Sequence, residues 1–164
     1  MERSLSYRRK EETCVVMAKK KKRIPKGIHH LVIKYRARLD AAWRKVVYEA
    51  GGRRCFISGD IKLVNAHHII DRRCYTSRWN IANGILLSPI YHKFGPKAIH
   101  NNPLFIGIKV VGVRGDLWLD KICDMAKEAK YIHELTEEEQ TNIVMKALKE
   151  LRPDLYEKEI KLND

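Results

Sequence analysis

The stretch from residue 55 to residue 103 constrains the fold most, because its apolar runs are short and turn-forming residues separate them. Residues 55–60 predict a short strand that enters a tight turn. Residues 63–70 predict a second strand that returns beside the first, so that the two form a hairpin. Residues 71–84 are polar and rich in turn formers, which predicts a loop, and residues 85–87 fit either a strand or the lead-in to a helix.

Helical patterns lie on both sides of this hairpin. Apolar residues in 29–50 recur at three- and four-residue steps, which predicts an amphipathic helix, either continuous or broken near Tyr35, with Trp43 and Val47 on its buried face. Residues 104–113 fit either a strand or a helix that Asn102 caps. The remaining predicted helices are a short one that begins at Pro89 and carries His92, one over residues 116–130, and one that opens with a capping box at Thr136–Glu139 and ends near Leu151. The predicted fold class is α+β.

The charge of the chain indicates the kind of partner. The 164 residues include 33 Lys and Arg against 20 Asp and Glu, a formal net charge of +13. Such an excess favours an anionic polymer or surface as partner. No run approaches the roughly 18 apolar residues that cross a bilayer, which argues against a membrane partner. Residues 111–164 carry 9 basic and 13 acidic residues, so the binding face is expected in the preceding part of the chain.

Residues 1–27 are polar and basic, and a segment of this composition cannot bury a core. A flexible basic arm is therefore expected. Its residues Lys20, Lys21, Lys22 and Arg23 fit three roles, which are phosphate contacts, a solvated tail and a nuclear localisation signal. The four cysteines form no C-x-x-C pair, and no secretory signal opens the chain, which favours a reduced, intracellular compartment.

The histidines of the central stretch suit the hydrolysis of a phosphodiester, which needs a base for water and a cation that stabilises negative charge. His68 is a candidate base, because imidazole titrates near neutral pH. His67 and His92 can each supply a nitrogen to a divalent metal. Adjacent residues of a strand point to opposite faces, so a bulge or a strand end is required near His67-His68 if both serve one site.

Five segments form one combined pattern, namely the run from Cys55 to Gly59, then Ala66-His67-His68-Ile69-Ile70, then Arg78-Trp79-Asn80-Ile81-Ala82-Asn83-Gly84-Ile85-Leu86-Leu87, then His92, and then His100-Asn101-Asn102-Pro103. This pattern resembles the HNH endonucleases, particularly the small phage and prophage type. The resemblance covers about residues 40–125 and is strongest over 66–103. It implies a ββα-metal fold, in which a hairpin and one helix are clamped around a single divalent ion.

The resemblance also implies a role for each residue that matches the pattern: His67 and His92 as metal ligands, His68 as the general base, and Asn83 as the residue that holds the loop and orients His68. His100 is a further candidate for the site. Water and the scissile phosphate would complete the metal shell, because the position four residues after His92 is Pro96.

The metal is expected to be Mg²⁺ or Mn²⁺, although two imidazoles shift the preference towards Mn²⁺, Zn²⁺ or Ni²⁺. Many relatives carry two C-x-x-C pairs that bind a structural zinc. The corresponding places here are residues 55–58 and 88–91, which retain only the thiol of Cys55, so no structural zinc is expected. Apolar packing is expected to hold the hairpin and helix instead, through Phe56, Ile57, Leu86 and Ile90.

The sequence is therefore interpreted as a metal-dependent DNA endonuclease, with the arm at 1–27, an HNH nuclease domain at 28–130 and a C-terminal helical extension at 131–164. Double-stranded DNA would be held through its phosphates by Arg72, Arg73, Arg78 and Lys93. A homodimer would suit double-strand cutting. The expected location is the cytoplasm of a bacterium or of a phage-infected host. The alternative is a non-catalytic nucleic-acid-binding module on the same scaffold.

Overall fold

The computed structural model describes residues 29–162, so the predicted basic arm, with Lys20, Lys21, Lys22 and Arg23, lies outside the described residues. These residues form helices α1 (His30–Ala50), α2 (Pro103–Arg114), α3 (Asp116–Lys127), α4 (Glu137–Leu151) and α5 (Pro153–Ile160), and strands β1 (Asn65–His68) and β2 (Gly84–Leu87). Single helical turns occupy Ile81–Asn83, Ile90–Phe94 and Ile132–Glu134. The predicted α+β class is confirmed. No helix within 29–162 has the length and apolar character needed to cross a membrane.

The small sheet pairs β1 with β2 in antiparallel register, with His67 opposite Ile85 and His68 opposite Gly84. The strand alternative for residues 85–87 is therefore confirmed. The strand predicted over residues 55–60 is wrong, because its backbone closes on itself: the Gly59 N–H donates to the Cys55 carbonyl at 2.8 Å. The Cys55 N–H donates to the Asp60 carbonyl at 2.7 Å, which closes the same turn from its other end.

Helix α1 is continuous through Tyr35, and its buried residues Tyr35, Leu39, Trp43 and Val47 recur every fourth position. This face packs against β2 and α4. The close approach to β2 requires a glycine at position 84. A Cβ there would lie 2.5 Å from Val47 Cγ2 and 3.1 Å from Trp43 Cζ2. The glycine of the Asn-Gly pair thus lets α1 lie directly against β2, at the position that pairs with His68 of β1.

Two predicted helix starts are observed as hydrogen bonds. The Asn102 Oδ1 atom accepts from the Phe105 N–H at 3.1 Å, so the helix alternative for residues 104–113 is confirmed. At the start of α4, the Thr136 Oγ1 atom accepts from the Glu139 N–H at 3.1 Å, and the Glu139 carboxylate accepts from the Thr136 N–H at 2.8 Å. Both helix starts are local features that hydrogen-bonding side chains define.

Strand β2 is buried along its whole length between two groups of helices. Leu86 faces the larger apolar cluster, which α1 shares with α4. Ile85 and Leu87 face a smaller cluster with Ile106 and Val110 of α2. The sheet therefore lies between α1 on one side and the α2–α3 pair on the other, and this arrangement determines what surrounds each histidine of β1.

The turn at residues 55–60 begins with the buried thiol of Cys55. Burial raises the pKa of the Cys55 thiol. Hydrogen bonds from the Ser58 hydroxyl and from the N–H groups of Ser58, Ser88 and Ile57 together lower it by more, so the net shift is downward. The Phe56 N–H donates to the Leu86 carbonyl at 2.8 Å, which docks the turn on β2. Phe56, Ile57 and Leu86 pack against the core as predicted, whereas Ile90 is 62% exposed.

A candidate metal and nucleic-acid site

Three imidazoles converge beside the sheet. Rings of His67, His92 and His100 lie 4.9–5.1 Å apart, centroid to centroid. One nitrogen from each ring lies within 4.8 Å of the other two. Among residues 29–162 this is the one group of three or more histidine, cysteine or carboxylate side chains with such spacing. We refer to these three residues as the histidine triad.

Each member of the triad comes from a different local structure. His67 lies in β1, opposite the buried Ile85. His92 lies in the single helical turn Ile90–Phe94, which follows β2 and which the Gly95 N–H closes by donating to the Ile90 carbonyl at 2.9 Å. His100 lies in the segment after that turn. The structure therefore brings together the two predicted ligands and the further candidate.

The segment that carries His100 folds back on the helical turn of His92. The Ile99 N–H donates to the Tyr91 carbonyl at 2.8 Å. The Asn101 amide donates to the Gly95 carbonyl at 3.1 Å. His100 lies eight residues after His92, and the His-Asn-Asn-Pro segment is the sequence feature that made it a further candidate. The expectation that water and the scissile phosphate complete a metal shell stays a prediction.

The triad is electrostatically suited to hold a cation when its rings are neutral. The pKa of His67 is lowered to about 4, chiefly by burial and then by its neighbours His92 and His100. The pKa of His92 is also lowered, by burial first and then by His100 and Lys93. At neutral pH these two rings therefore keep an unprotonated nitrogen. Within the described part of the chain, no hydrogen bond to another residue occupies a ring nitrogen of the triad.

His68 lies at the end of β1, and its ring has different neighbours from that of His67. It stacks on Trp43 with ring centroids 3.7 Å apart and an interplanar angle of 11°. Its Nε2 atom lies 2.8 Å from the Arg78 carbonyl oxygen. A carbonyl only accepts, so Nε2 carries the hydrogen and the neutral ring has its lone pair on Nδ1. The register of β1 contains no extra residue, so the strand end, not a bulge, brings His67 and His68 to one pocket.

The pKa of His68 is lowered by burial and by the charges of Arg78 and Arg72, while the Arg78 carbonyl and Asp40 oppose the shift. A lowered pKa keeps the ring neutral at pH 7, the form that accepts a proton. The stacked indole and the carbonyl together fix the ring plane. His68 is thus held as an oriented, neutral imidazole.

Asn83 ties the loop between β1 and β2 to the strand ends. The side chain is fully buried. Its Oδ1 atom accepts from the Ile70 N–H at 2.6 Å, and its Nδ2 group donates to the Ile70 and Ser77 carbonyls at 3.1 Å each. Ile70 lies two residues after His68, and Ser77 precedes Arg78, whose carbonyl bonds the His68 ring. These hydrogen bonds hold the loop to the residues that follow β1.

Arg78, which the sequence predicted as a phosphate contact, is buried instead. Its Nε and Nη2 groups donate to the two carboxylate oxygens of Asp40 at 2.9 and 2.7 Å, and its Nη1 group donates to the Arg72 carbonyl at 2.5 Å. The Asp40 carboxylate also accepts from the Trp79 indole N–H at 2.9 Å. A guanidinium that is paired in this way positions the loop and the His68 ring, and it leaves little surface for DNA, so the predicted phosphate contact is wrong for Arg78.

The other predicted phosphate contacts lie at an open pocket of about 850 Å³, which the triad and His68 also line. Arg72, Arg73 and Lys93 are exposed there. The Arg73 guanidinium is paired with Asp71, at 2.7 and 2.9 Å from one carboxylate oxygen. Arg72 and Lys93 are therefore the cations of this pocket with the most charge to offer an anionic ligand.

Comparison of the chain with protein-family models, with curated proteins and with solved structures finds no match. The function is therefore argued from the geometry of this site. Sequence reasoning missed the environment of His68, which Trp43 and Asp40 of α1 help to form. The recurrence of apolar residues in α1 predicted only that Trp43 would be buried.

Proposed function

We propose that this protein is a metal-dependent endonuclease that hydrolyses phosphodiester bonds of DNA. The observation that carries the proposal is the convergence of three imidazoles in a pocket that His68 also lines. Strands β1 and β2 and the helical turn Ile90–Phe94 would form a ββα-metal core of the HNH type. The net charge of +13 supports an anionic polymer as substrate.

The donor set fits one divalent cation. His67, His92 and His100 would hold it through one nitrogen each, and the lowered pKa values of His67 and His92 favour the neutral ligand form. Three imidazoles without a carboxylate favour Mn²⁺, Zn²⁺ or Ni²⁺ over Mg²⁺. When bound, the ion would supply a positive charge that stabilises the negative charge developing on the phosphate.

The residues of the chain supply the remaining chemistry. His68 accepts a proton at Nδ1 from the attacking water, while its Nε2–H remains bonded to the Arg78 carbonyl. The water oxygen forms a bond to phosphorus as the bond to the leaving oxygen breaks, and the leaving oxygen takes up a proton from solvent water. Arg72 and Lys93 bind non-bridging phosphate oxygens. The products have 5′-phosphate and 3′-hydroxyl ends, as the HNH resemblance implies.

Nicking of supercoiled plasmid by metal-stripped protein tests this proposal, with Mg²⁺, Mn²⁺, Zn²⁺ or Ni²⁺ added back one at a time. Nicking is expected to require a metal and to fall at least about 100-fold in His68→Ala, in line with the loss of a general base. His92→Ala and His100→Ala are expected to lose metal binding in isothermal titration as well as nicking.

His133→Ala is the matched control, because this exposed histidine stacks on Tyr131 rather than lining the pocket. It should nick like the wild type. If the wild type binds DNA but does not cut it with any of the four metals, the endonuclease is refuted and the non-catalytic binding module takes its place. If His100→Ala binds metal as tightly as the wild type, His100 is not a ligand.

A further inference from the structure

The pocket beside the histidine triad has two chemically different walls. One wall carries the triad, the cations Arg72, Arg73 and Lys93, and Asp71, which is paired with Arg73. The other wall comes from α2 and α3, and every residue that these helices contribute to it is apolar or glycine. The largest of them are Ile106, Val110, Val111, Trp118, Leu119 and Ile122. A groove for the phosphates of a regular duplex would gain from cations on both sides, and this one has them on one side only.

The apolar wall is firmly built. Ile106 and Val110 are anchored in the smaller apolar cluster with β2. The Trp118 indole N–H donates to the Ala82 carbonyl at 3.2 Å, and the Arg114 guanidinium lies over the indole, 5.1 Å from the ring centroid. The indole that lines the pocket is therefore held in one position. A fixed aromatic ring among aliphatic side chains is a surface on which a nucleobase stacks.

From these two walls we infer that the pocket takes an unpaired nucleobase of the DNA, with the phosphate next to that nucleotide at the histidine triad. The inference rests on the proposed function for its substrate and names the class of DNA within it. In a paired duplex the base faces are stacked on one another and are closed to a protein wall. A bulged or otherwise unpaired nucleotide leaves the stack at least cost, so DNA of that kind fits both walls at once.

The size of the pocket agrees with such a ligand. Its volume of about 850 Å³ lies within the range of about 300–1,000 Å³ that is usual for sites of small organic ligands. A nucleotide has the matching distribution of chemistry, since its base is an aromatic ring and its phosphate is an anion. The cationic wall selects DNA over an apolar peptide as the occupant.

Two glycines of α2 give a matched pair of variants. Gly107 lines the pocket and Gly112 does not. Both are exposed, and a Cβ at either position meets nothing within 4 Å. Leucine is a better helix former than glycine, so Gly107→Leu and Gly112→Leu are both expected to fold. Only the first places a side chain in the pocket.

The test uses two labelled duplexes that differ by one bulged 2-aminopurine, with EDTA present so that neither is cut. We expect the wild type to bind the bulged duplex about tenfold more tightly than the paired one, the scale of stacking one base on an aromatic side chain. We also expect 2-aminopurine fluorescence to fall on binding. The preference for the bulge should fall to near unity in Gly107→Leu and persist in Gly112→Leu.

Equal binding of the two duplexes by the wild type would overturn the inference, and so would a full preference for the bulge in Gly107→Leu. These outcomes are distinct from failure of the proposed function, which is judged by metal-dependent cleavage of the plasmid and of the bulged duplex without EDTA. If plasmid is nicked and the wild type shows no preference for the bulge, only the binding of an unpaired base is refuted. If the bulge is preferred and no metal supports cleavage of any DNA, only the endonuclease activity is refuted.

Discussion

Replacing Gly84 with alanine is expected to destabilise the fold, because the new methyl group has no room. Its carbon would lie 2.5 Å from Val47 Cγ2 and 3.1 Å from Trp43 Cζ2. Both neighbours are buried, and valine in a helix is restricted to nearly one rotamer, so the side chains cannot turn away. Helix α1 or strand β2 must then move, and overpacking of this kind costs about 1–3 kcal/mol.

A double-variant cycle tests whether the contact with Val47 is the cause. Val47→Ala alone should cost about 2 kcal/mol, because it leaves a cavity in the core. It also removes the methyl groups that Gly84→Ala would strike. The loss in free energy of unfolding of the combined variant should therefore be smaller than the sum of the two single losses by at least about 1 kcal/mol. A difference of this size is within the usual range for coupled neighbours.

Urea unfolding followed by far-ultraviolet circular dichroism measures each free energy. Gly107→Ala is the control for the change from glycine to alanine itself. This exposed helical position has no atom within 4 Å of an added Cβ, so the substitution should stabilise the protein by about 0.5–1 kcal/mol. The reasoning is refuted if Gly84→Ala is as stable as the wild type, or if the cycle with Val47→Ala is additive.

Three further outcomes are expected. Asn83→Ala should cost about 3 kcal/mol, because it removes three buried hydrogen bonds of about 1 kcal/mol each; a loss below 1 kcal/mol in urea unfolding would show that the loop is held by other contacts. Asp40→Asn should also destabilise, because Arg78 stays buried without its carboxylate. Burial raises the pKa of Asp40, but Arg78 lowers it more, so the folded pKa is below the ordinary value of 3.8. The Asp40–Arg78 pair thus contributes its full stability above pH 3.8, and this contribution is lost as the pH falls through the folded pKa of Asp40. The difference in free energy of unfolding between the wild type and Asp40→Asn should therefore shrink in acid. A difference that stays unchanged until the protein unfolds in acid would contradict this. Finally, Zn²⁺ at 100 times its Kd for the wild type should raise the free energy of unfolding by about 2.7 kcal/mol in the wild type and not in His100→Ala. Thermal midpoints with Zn²⁺ and with EDTA measure this rise. An equal rise in both proteins would show that His100 is not a ligand.

Structural features that depend on only a few neighbouring residues could be predicted from the sequence. The Asn102 cap and the capping box at Thr136 use side chains within one helical turn, and the period of α1 repeats from one turn to the next; all three are observed. A strand over residues 63–70 was also predicted from neighbouring residues, and the structure has β1 at Asn65–His68. Its pairing with residues 55–60 was predicted wrongly, because pairing across a loop depends on which backbone groups are already bonded, and both the N–H and the carbonyl of Cys55 are bonded within the turn.

The candidate site divides in the same way. The histidines on β1 and on the turn after β2 could be identified from residue type and spacing. The burial of Arg78 could not, because it depends on Asp40, 38 positions earlier in the chain. The third imidazole, His100, was only a candidate, because its approach to His92 depends on backbone bonds that fold one short segment over another.

The stacking of His68 on Trp43 has a consequence for transplanting this site into another protein. Residues 55–103 contain the whole triad, but Trp43 and Asp40 belong to α1 and would be left behind. A graft of that stretch alone would carry the three imidazoles that are proposed to hold a cation, without the indole that holds the plane of the His68 ring. The smallest portable unit therefore runs from the start of α1 through His100, and under the proposed function a graft without α1 should bind metal while transferring protons poorly.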